Sequence, residues 1–236
     1  MILFRSSGVF SMFLYLTFAH LIADFPLQPN WMVRAKRKPK GLLLHTGVHF
    51  VVMLILFGSA VQRVWWLLVV VAAFHYGIDT FKNYLSGKRP EWIIAPYVFD
   101  QILHFLSLWL VATWMEKLIP PENSPVAGPW LIYGIAFLFV TYVWFISERI
   151  LFYANEAYQR ELAALAWQRM IARLILLIGL VRLGSLLPGV VRRQADHLGP
   201  GLALSLPYLT GKYRRRAFMV DLGVALIAAI FIQVAI

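Results

Sequence analysis

Five of the six histidines and three of the five aspartates in this chain fall into four pairs, each spaced i,i+4. The pairs are His20/Asp24, His45/His49, His75/Asp79 and Asp100/His104. Residues four apart share one face of a helix, so four helices would each present two donor groups in one direction. Imidazole nitrogens and carboxylate oxygens are donors for zinc and for non-haem iron. Burying carboxylates costs several kcal/mol apiece unless they are neutralised, and a divalent cation is the obvious neutraliser. His20, Asp24, His45, His49, His75, Asp79, Asp100 and His104 are therefore expected to ligate one or two divalent ions, zinc or iron.

The elements that must position these pairs are oily. Of 236 residues, 61% are hydrophobic and 14% charged, and the mean hydropathy is +0.71. An average globular chain is about a quarter charged. Several runs approach or exceed the ~18–20 apolar residues that carry a helix across a bilayer, and nothing alternates with period two as a barrel strand would. The class is all-α: a polytopic helical membrane protein with about six to seven transmembrane helices. Apolar segments cover about 8–25, 41–60, 64–81, 93–118, 130–146, 171–187 and 218–236. The first four, residues 1–120, form a four-helix transmembrane domain carrying the His/Asp site. Residues 121–236, beginning in the loop "PPENSPVAGP", supply membrane and interfacial helices with no assigned role.

Cysteine is absent, which excludes disulfides, thiolate metal sites and cysteine nucleophiles. The net charge of +11 reads as topology signal and attraction to anionic lipid headgroups at basic loops, not as nucleic-acid binding. Arg5 before an apolar run resembles a signal peptide, but no small-residue cleavage site follows, so the run reads as a retained first span. Arg34, Lys36, Arg37, Lys38 and Lys40 follow segment one, and Lys82, Lys88 and Arg89 follow segment three. Only Arg63 and Lys117 mark the other two loops. The N-terminus is then expected outside the cytoplasm, with both basic loops inside.

This topology places all four pairs at similar depth near the cytoplasmic side. Allowing for helix direction, His20, His49, His75 and His104 form a deeper layer. Asp24, His45, Asp79 and Asp100 form a shallower one. Gln28, Thr46, Thr80, Lys82 and Gln101 are polar neighbours, Gln101 pointing about 100° away from Asp100 around the helix. The second half is less regular. The stretch "SERILFYANEAYQRELAALAWQRM" reads as an interfacial amphipathic helix with a surface pair Glu156/Arg160. Arg192, Arg193 and the cluster Lys212–Arg216 break the charge alternation. Either segment six does not cross fully, or "GLALSLPYL" (201–209) dips into the membrane. His197, beside Asp196, reads as surface.

The motifs "HLIADF-LQ", "LLLH---HF", "H--ID--K" and "DQ--H" are present as His20 to Gln28, Leu42 to Phe50, His75 to Lys82 and Asp100 to His104. In these residues the first half resembles the bacterial family catalogued as domain of unknown function 3307. The resemblance implies a polytopic protein of the bacterial inner (cytoplasmic) membrane and stops near Pro121. It supplies no activity.

A bound metal lowers the pKa of its water to about 7, so the leading expectation is metal-dependent hydrolysis at the cytoplasmic face. A lipid or phosphate-bearing substrate would be drawn by the basic loop, with Asp24 or Asp79 as the catalytic general base. A di-iron redox enzyme would use the same ligands. A structural metal, a haem carrier and a metal transporter are the remaining alternatives. Transport ranks third, behind the two enzymes, because the outer halves of segments one to four offer no ionisable group. Substrate and oligomeric state are not written in the sequence.

Overall fold

A computed structural model of the chain describes residues 8–119, 128–186 and 214–235. These residues are helical, with no strand among them. The helices are α1 (Gly8–Asp24), α2 (Asn30–Ala35), α3 (Pro39–Phe57), α4 (Val61–Lys88), α5 (Ile94–Leu118), α6 (Pro129–Leu138), α7 (Trp144–Leu151), α8 (Glu156–Ala164), α9 (Ala166–Leu186) and α10 (Arg214–Ala235). Four stretches are long and apolar enough to cross a membrane, and five if the bent pair α8–α9 counts as one. The expected six to seven spans differ from this figure for two reasons. Gly8–Asp24 is apolar but only 17 residues long, and Pro39–Lys88 counts as a single 50-residue stretch. That stretch is two helices. His45 Nε2 and His75 Nε2 lie 3.1 Å apart, so α3 and α4 fold back on each other through a 3₁₀ turn at Gly58–Ala60. Gly58 has φ +50° there, in the left-handed region where a Cβ is costly.

The chain divides into two compact units, Met1–Ile135 and Ala136–Ile236. In the first, α1 packs on α3, α3 on α4, α4 on α5 and α5 back on α1, a closed ring of four helices. Its interior holds Met12, Leu16, Phe57, Leu67, Val111 and Met115, each at most 4% exposed. The unit ends later than position 120 because the start of α6 belongs to it. Trp130 stands edge-on to Tyr15 and Phe18, with centroids 5.9 and 5.7 Å away. A Cβ on Gly134 would meet Phe18 Cε2 at 2.7 Å, so the lack of a side chain lets the helix approach.

The connection from α1 to α3 is also closely built. Pro26 follows α1 and cannot donate to its ladder, and Pro39 occupies the first turn of α3, where a missing N–H costs nothing. Gly41 lies so close to α2 that a Cβ would fall 2.1 Å from the Ala35 carbonyl oxygen. Asn83 Nδ2 on α4 donates to the Lys36 carbonyl at 2.9 Å. The basic loop is thereby held against the end of the bundle.

In the second unit, α9 packs along α10. Ala225, Ala228 and Ala229 on α10 are buried, small residues of the kind that let membrane helices approach closely. A π-helical turn, Phe139–Val143, precedes α7. The expected interfacial helix is three helices. Asn155 caps α8 by accepting from the Tyr158 N–H at 3.0 Å, and α8 meets α9 at 71°. Glu156 and Arg160 form the expected exposed pair at 3.6 Å. The segment "GLALSLPYL", Arg192, Arg193, Asp196, His197 and Lys212 lie outside the described residues.

Candidate metal centre

Each helix of the ring contributes one pair to its interior. The seven residues other than Asp24 are at most 4% exposed, and the Asp24 side chain is 12% exposed. All eight residues converge, but not equally. Asp24, His45, His49 and His75 each offer a donor atom, all within 4.8 Å of one another. His45 Nε2 is 3.0 Å from Asp24 Oδ1 and 3.1 Å from His75 Nε2, and His49 Nε2 is 3.3 Å from Asp24 Oδ1. A tetrahedral ion with bonds near 2.0–2.1 Å has donor–donor edges of about 3.3 Å, and an octahedral one about 2.9 Å. These three spacings fall within that interval, and the remaining separations in the group are no more than 4.8 Å, so the four donors are close enough to converge on one divalent ion.

Ring contacts join the four histidines expected in the deeper layer, and also link His45 to His49 and His75 at 4.7 and 5.1 Å. His20, His49, His75 and His104 form a closed circuit in the order of the helices, with centroid separations of 5.4, 3.8, 4.4 and 4.9 Å. One turn deeper on each helix stand Leu16, Met53, Val71 and Leu108, all buried. Between the two layers is a cavity lined by these eight residues and Ser107, with room for about one water-sized guest.

The shallower layer holds the acids. His45 Nε2 is 3.6 Å from Asp79 Oδ2, and Lys82 Nζ donates to Asp100 Oδ2 at 2.7 Å and to Asp79 Oδ1 at 3.4 Å. Helix α4 runs on to Lys88 instead of ending near 81, which keeps Lys82 on the Asp79 face. Gln28 Nε2 reaches Asp24 Oδ1 and the His45 ring, each at 3.3 Å. Gln101 Nε2 donates to Asp100 Oδ2 at 3.1 Å, although its Cα is rotated away. The side chain is long enough to swing back. Thr80 instead donates to the Tyr76 carbonyl at an exposed position, and Thr46 Oγ1 is buried with no hydrogen-bond partner. Lys36, read from sequence only as a topology signal, brings Nζ to 3.8 Å from Asp79 Oδ2.

A second polar cluster escaped the sequence reading altogether. In the Ala136–Ile236 unit, Glu148, Arg169, Arg173 and Asp221 are at most 2% exposed. Arg169 donates through Nε and Nη2 to both Asp221 oxygens at 2.9 and 2.7 Å, and through Nη2 to Glu148 Oε1 at 2.9 Å. Arg173 donates to Asp221 Oδ1 at 2.9 Å and through Nε to the Val140 carbonyl of the π turn at 2.5 Å. The Tyr158 hydroxyl closes onto Glu148 Oε1. Glu148 is thus buried within the protein, not on an exposed polar face as its position in an amphipathic stretch suggested. It is core, because its cationic partner lies two helices away. Two guanidinium groups and two carboxylates balance, which is how such charge survives in an apolar interior.

Comparison with known proteins adds one match. Residues 12–125 match the family model described as "Protein of unknown function (DUF3307)", a segment containing all eight His/Asp residues. No curated protein and no solved structure matches the chain.

Proposed function

On the premise that residues 12–125 are a DUF3307 domain, we propose that this chain is an integral membrane metalloenzyme. It hydrolyses a lipid or other phosphate-bearing substrate at the cytoplasmic face of the bacterial inner membrane, with its N-terminus outside. The observation that carries this reading is the donor set Asp24, His45, His49 and His75 at ion-like spacings. A divalent ion held there supplies Lewis acidity and brings the pKa of its water to about 7. The chain supplies the rest. Asp24 is drawn into the donor set, so the general base falls to Asp79, whose Oδ2 is 3.6 Å from His45 Nε2. Gln28 orients Asp24 and His45. Lys36 and Lys82 stand at the acid layer, the side from which an anionic group would arrive. Beside them Leu27, Trp31 and Val33 are exposed, an aromatic and aliphatic edge next to basic residues that suits an anionic lipid surface.

The cavity under Leu16, Met53, Val71 and Leu108 favours a second reading, a redox iron centre taking a small uncharged ligand. Two other readings fit less well. Imidazoles with centroids 3.8–5.4 Å apart leave no room for a porphyrin between them. An ion path would have to cross the buried apolar layer and then Met12, Phe57 and Leu67.

The test uses full-length protein in detergent and in vesicles containing phosphatidylglycerol. Metal content is measured by elemental analysis and hydrolysis by phosphate or headgroup release. Wild type is expected to hold metal and release product. His45→Ala loses both, and Asp79→Asn keeps the ion held by Asp24, His45, His49 and His75 with a loss of at least about 100-fold in rate. Metal-free wild-type protein, or a loaded protein inert on phosphate esters, overturns the hydrolytic reading. Iron with visible charge-transfer bands supports the redox one.

A further inference from the structure

Of the eight donor residues, the four outside the compact group share a property that the other four lack. His20 Nε2, Asp79 Oδ2, Asp100 Oδ1 and His104 Nε2 are each buried and make no hydrogen bond; the first three have only long ionic contacts, among them those to Asp24 Oδ2 at 3.4 Å, Lys36 Nζ at 3.8 Å and His104 Nδ1 at 3.5 Å respectively. A buried polar atom without a partner costs about 1–3 kcal/mol, and more when charged, so four together in one bundle need an explanation. The Asp79 and His104 donors also lie within 4.8 Å of each other and of a His75 ring nitrogen.

We propose that the bundle holds a second, weaker divalent ion between Asp79 and His104, with His20 and Asp100 beside it, making the centre dinuclear. This inference rests on the metal centre proposed above and adds its stoichiometry and asymmetry. His104 is prepared as a ligand. Its Nδ1 lies 2.8 Å from the Asp100 carbonyl oxygen, which can only accept, so the proton is on Nδ1 and Nε2 presents its lone pair. That is the arrangement seen around metal-bound histidines, where a backbone carbonyl sets the tautomer. One carboxylate oxygen of Asp79 lies within 4.8 Å of a His104 ring nitrogen, and Oδ2 is 3.6 and 3.7 Å from His45 Nε2 and His75 Nε2 of the first group, so Asp79 stands between the two groups. It is a ligand when the second ion is bound and the general base when only the first is.

The asymmetry has a stated cause. Lys82 Nζ engages the other oxygen of each acid, Asp79 Oδ1 and Asp100 Oδ2. An ammonium already neutralises part of the charge that would attract the second ion. The first group has no lysine within its four donors and keeps its full attraction. With both ions and both lysines present the site carries excess positive charge, which a phosphate-bearing substrate offsets. Two ions also suit in-line displacement at phosphorus, since each stabilises one of the entering and leaving oxygens.

The test is zinc binding alone, by equilibrium dialysis of chelator-stripped full-length protein followed by elemental analysis. Wild type is expected to saturate at two ions per chain, the second at least tenfold weaker. His104→Ala retains one ion, the tight one. His45→Ala loses the tight ion. Lys82→Gln tightens the weak site about tenfold, because the competing ammonium is gone. Helical circular dichroism and gel-filtration elution unchanged from wild type qualify each variant. Saturation of wild type at one ion overturns the proposal without needing any variant. If that one ion is lost in His45→Ala, the metal centre proposed above still stands. An unchanged weak-site affinity in Lys82→Gln overturns the competition.

Discussion

Asp221→Asn isolates the energetics of the second unit. Asp221 accepts from Arg169 Nε at 2.9 Å, Arg169 Nη2 at 2.7 Å and Arg173 Nη1 at 2.9 Å, and none of these groups reaches solvent. Asparagine keeps one acceptor and turns an amide N–H₂ toward a guanidinium. Glu148 compensates only in part, since its Oε1 already meets Arg169 and Tyr158 and its Oε2, though without a hydrogen bond, is 3.7 Å from Arg173 Nη1 and serves only that arginine. Removing one partner from a buried ion pair costs about 3–5 kcal/mol, a factor of roughly 10² to 5 × 10³ in the folded-to-unfolded ratio. Thermal unfolding of detergent-solubilised protein, followed by loss of the monodisperse gel-filtration peak, should shift down by on the order of 10 °C or more. The paired replacement Arg169→Met/Asp221→Leu leaves Arg173 balanced by Glu148 and removes both orphans. It should recover most of the loss, because apolar substitutes for a buried pair are often neutral or stabilising. An Asp221→Asn protein that unfolds within 2 °C of wild type would refute the reasoning. So would a paired variant less stable than the single one.

Three further outcomes follow from the geometry. Added zinc should raise the unfolding temperature of wild type, with about 2.7 kcal/mol gained at a hundredfold excess over Kd. It should do so far less in His49→Ala, as read by the same thermal assay. Gln28→Ala should weaken zinc about 10-fold or more through loss of its contacts to Asp24 and His45, measured by competition with a chromogenic chelator. Asn155→Ala should cost about 1 kcal/mol by removing the cap on α8, seen as earlier thermal unfolding with zinc binding unchanged.

The sequence by itself determined whatever depends on one helix at a time. Four apolar segments each carry a donor pair at a spacing that local backbone geometry turns into a shared face, and the alternating direction of successive segments sorts those pairs into two layers. The grouping of His20, His49, His75 and His104 at one level follows from that alone, whereas the closed circuit of their rings needs the packed helices. Tertiary structure decided which donors meet. Helix order and rotation about each axis set distances across the ring, so only folding could separate Asp24, His45, His49 and His75 from the four orphans. The same holds for Lys36, brought to Asp79 by a loop closed over Gly41, and for Glu148, whose helical stretch looks interfacial until Arg169 and Asp221 arrive from other helices. A charge in an apolar segment announces that it needs a partner. Where that partner lies along the chain is long-range information, and only the packed helices hold it.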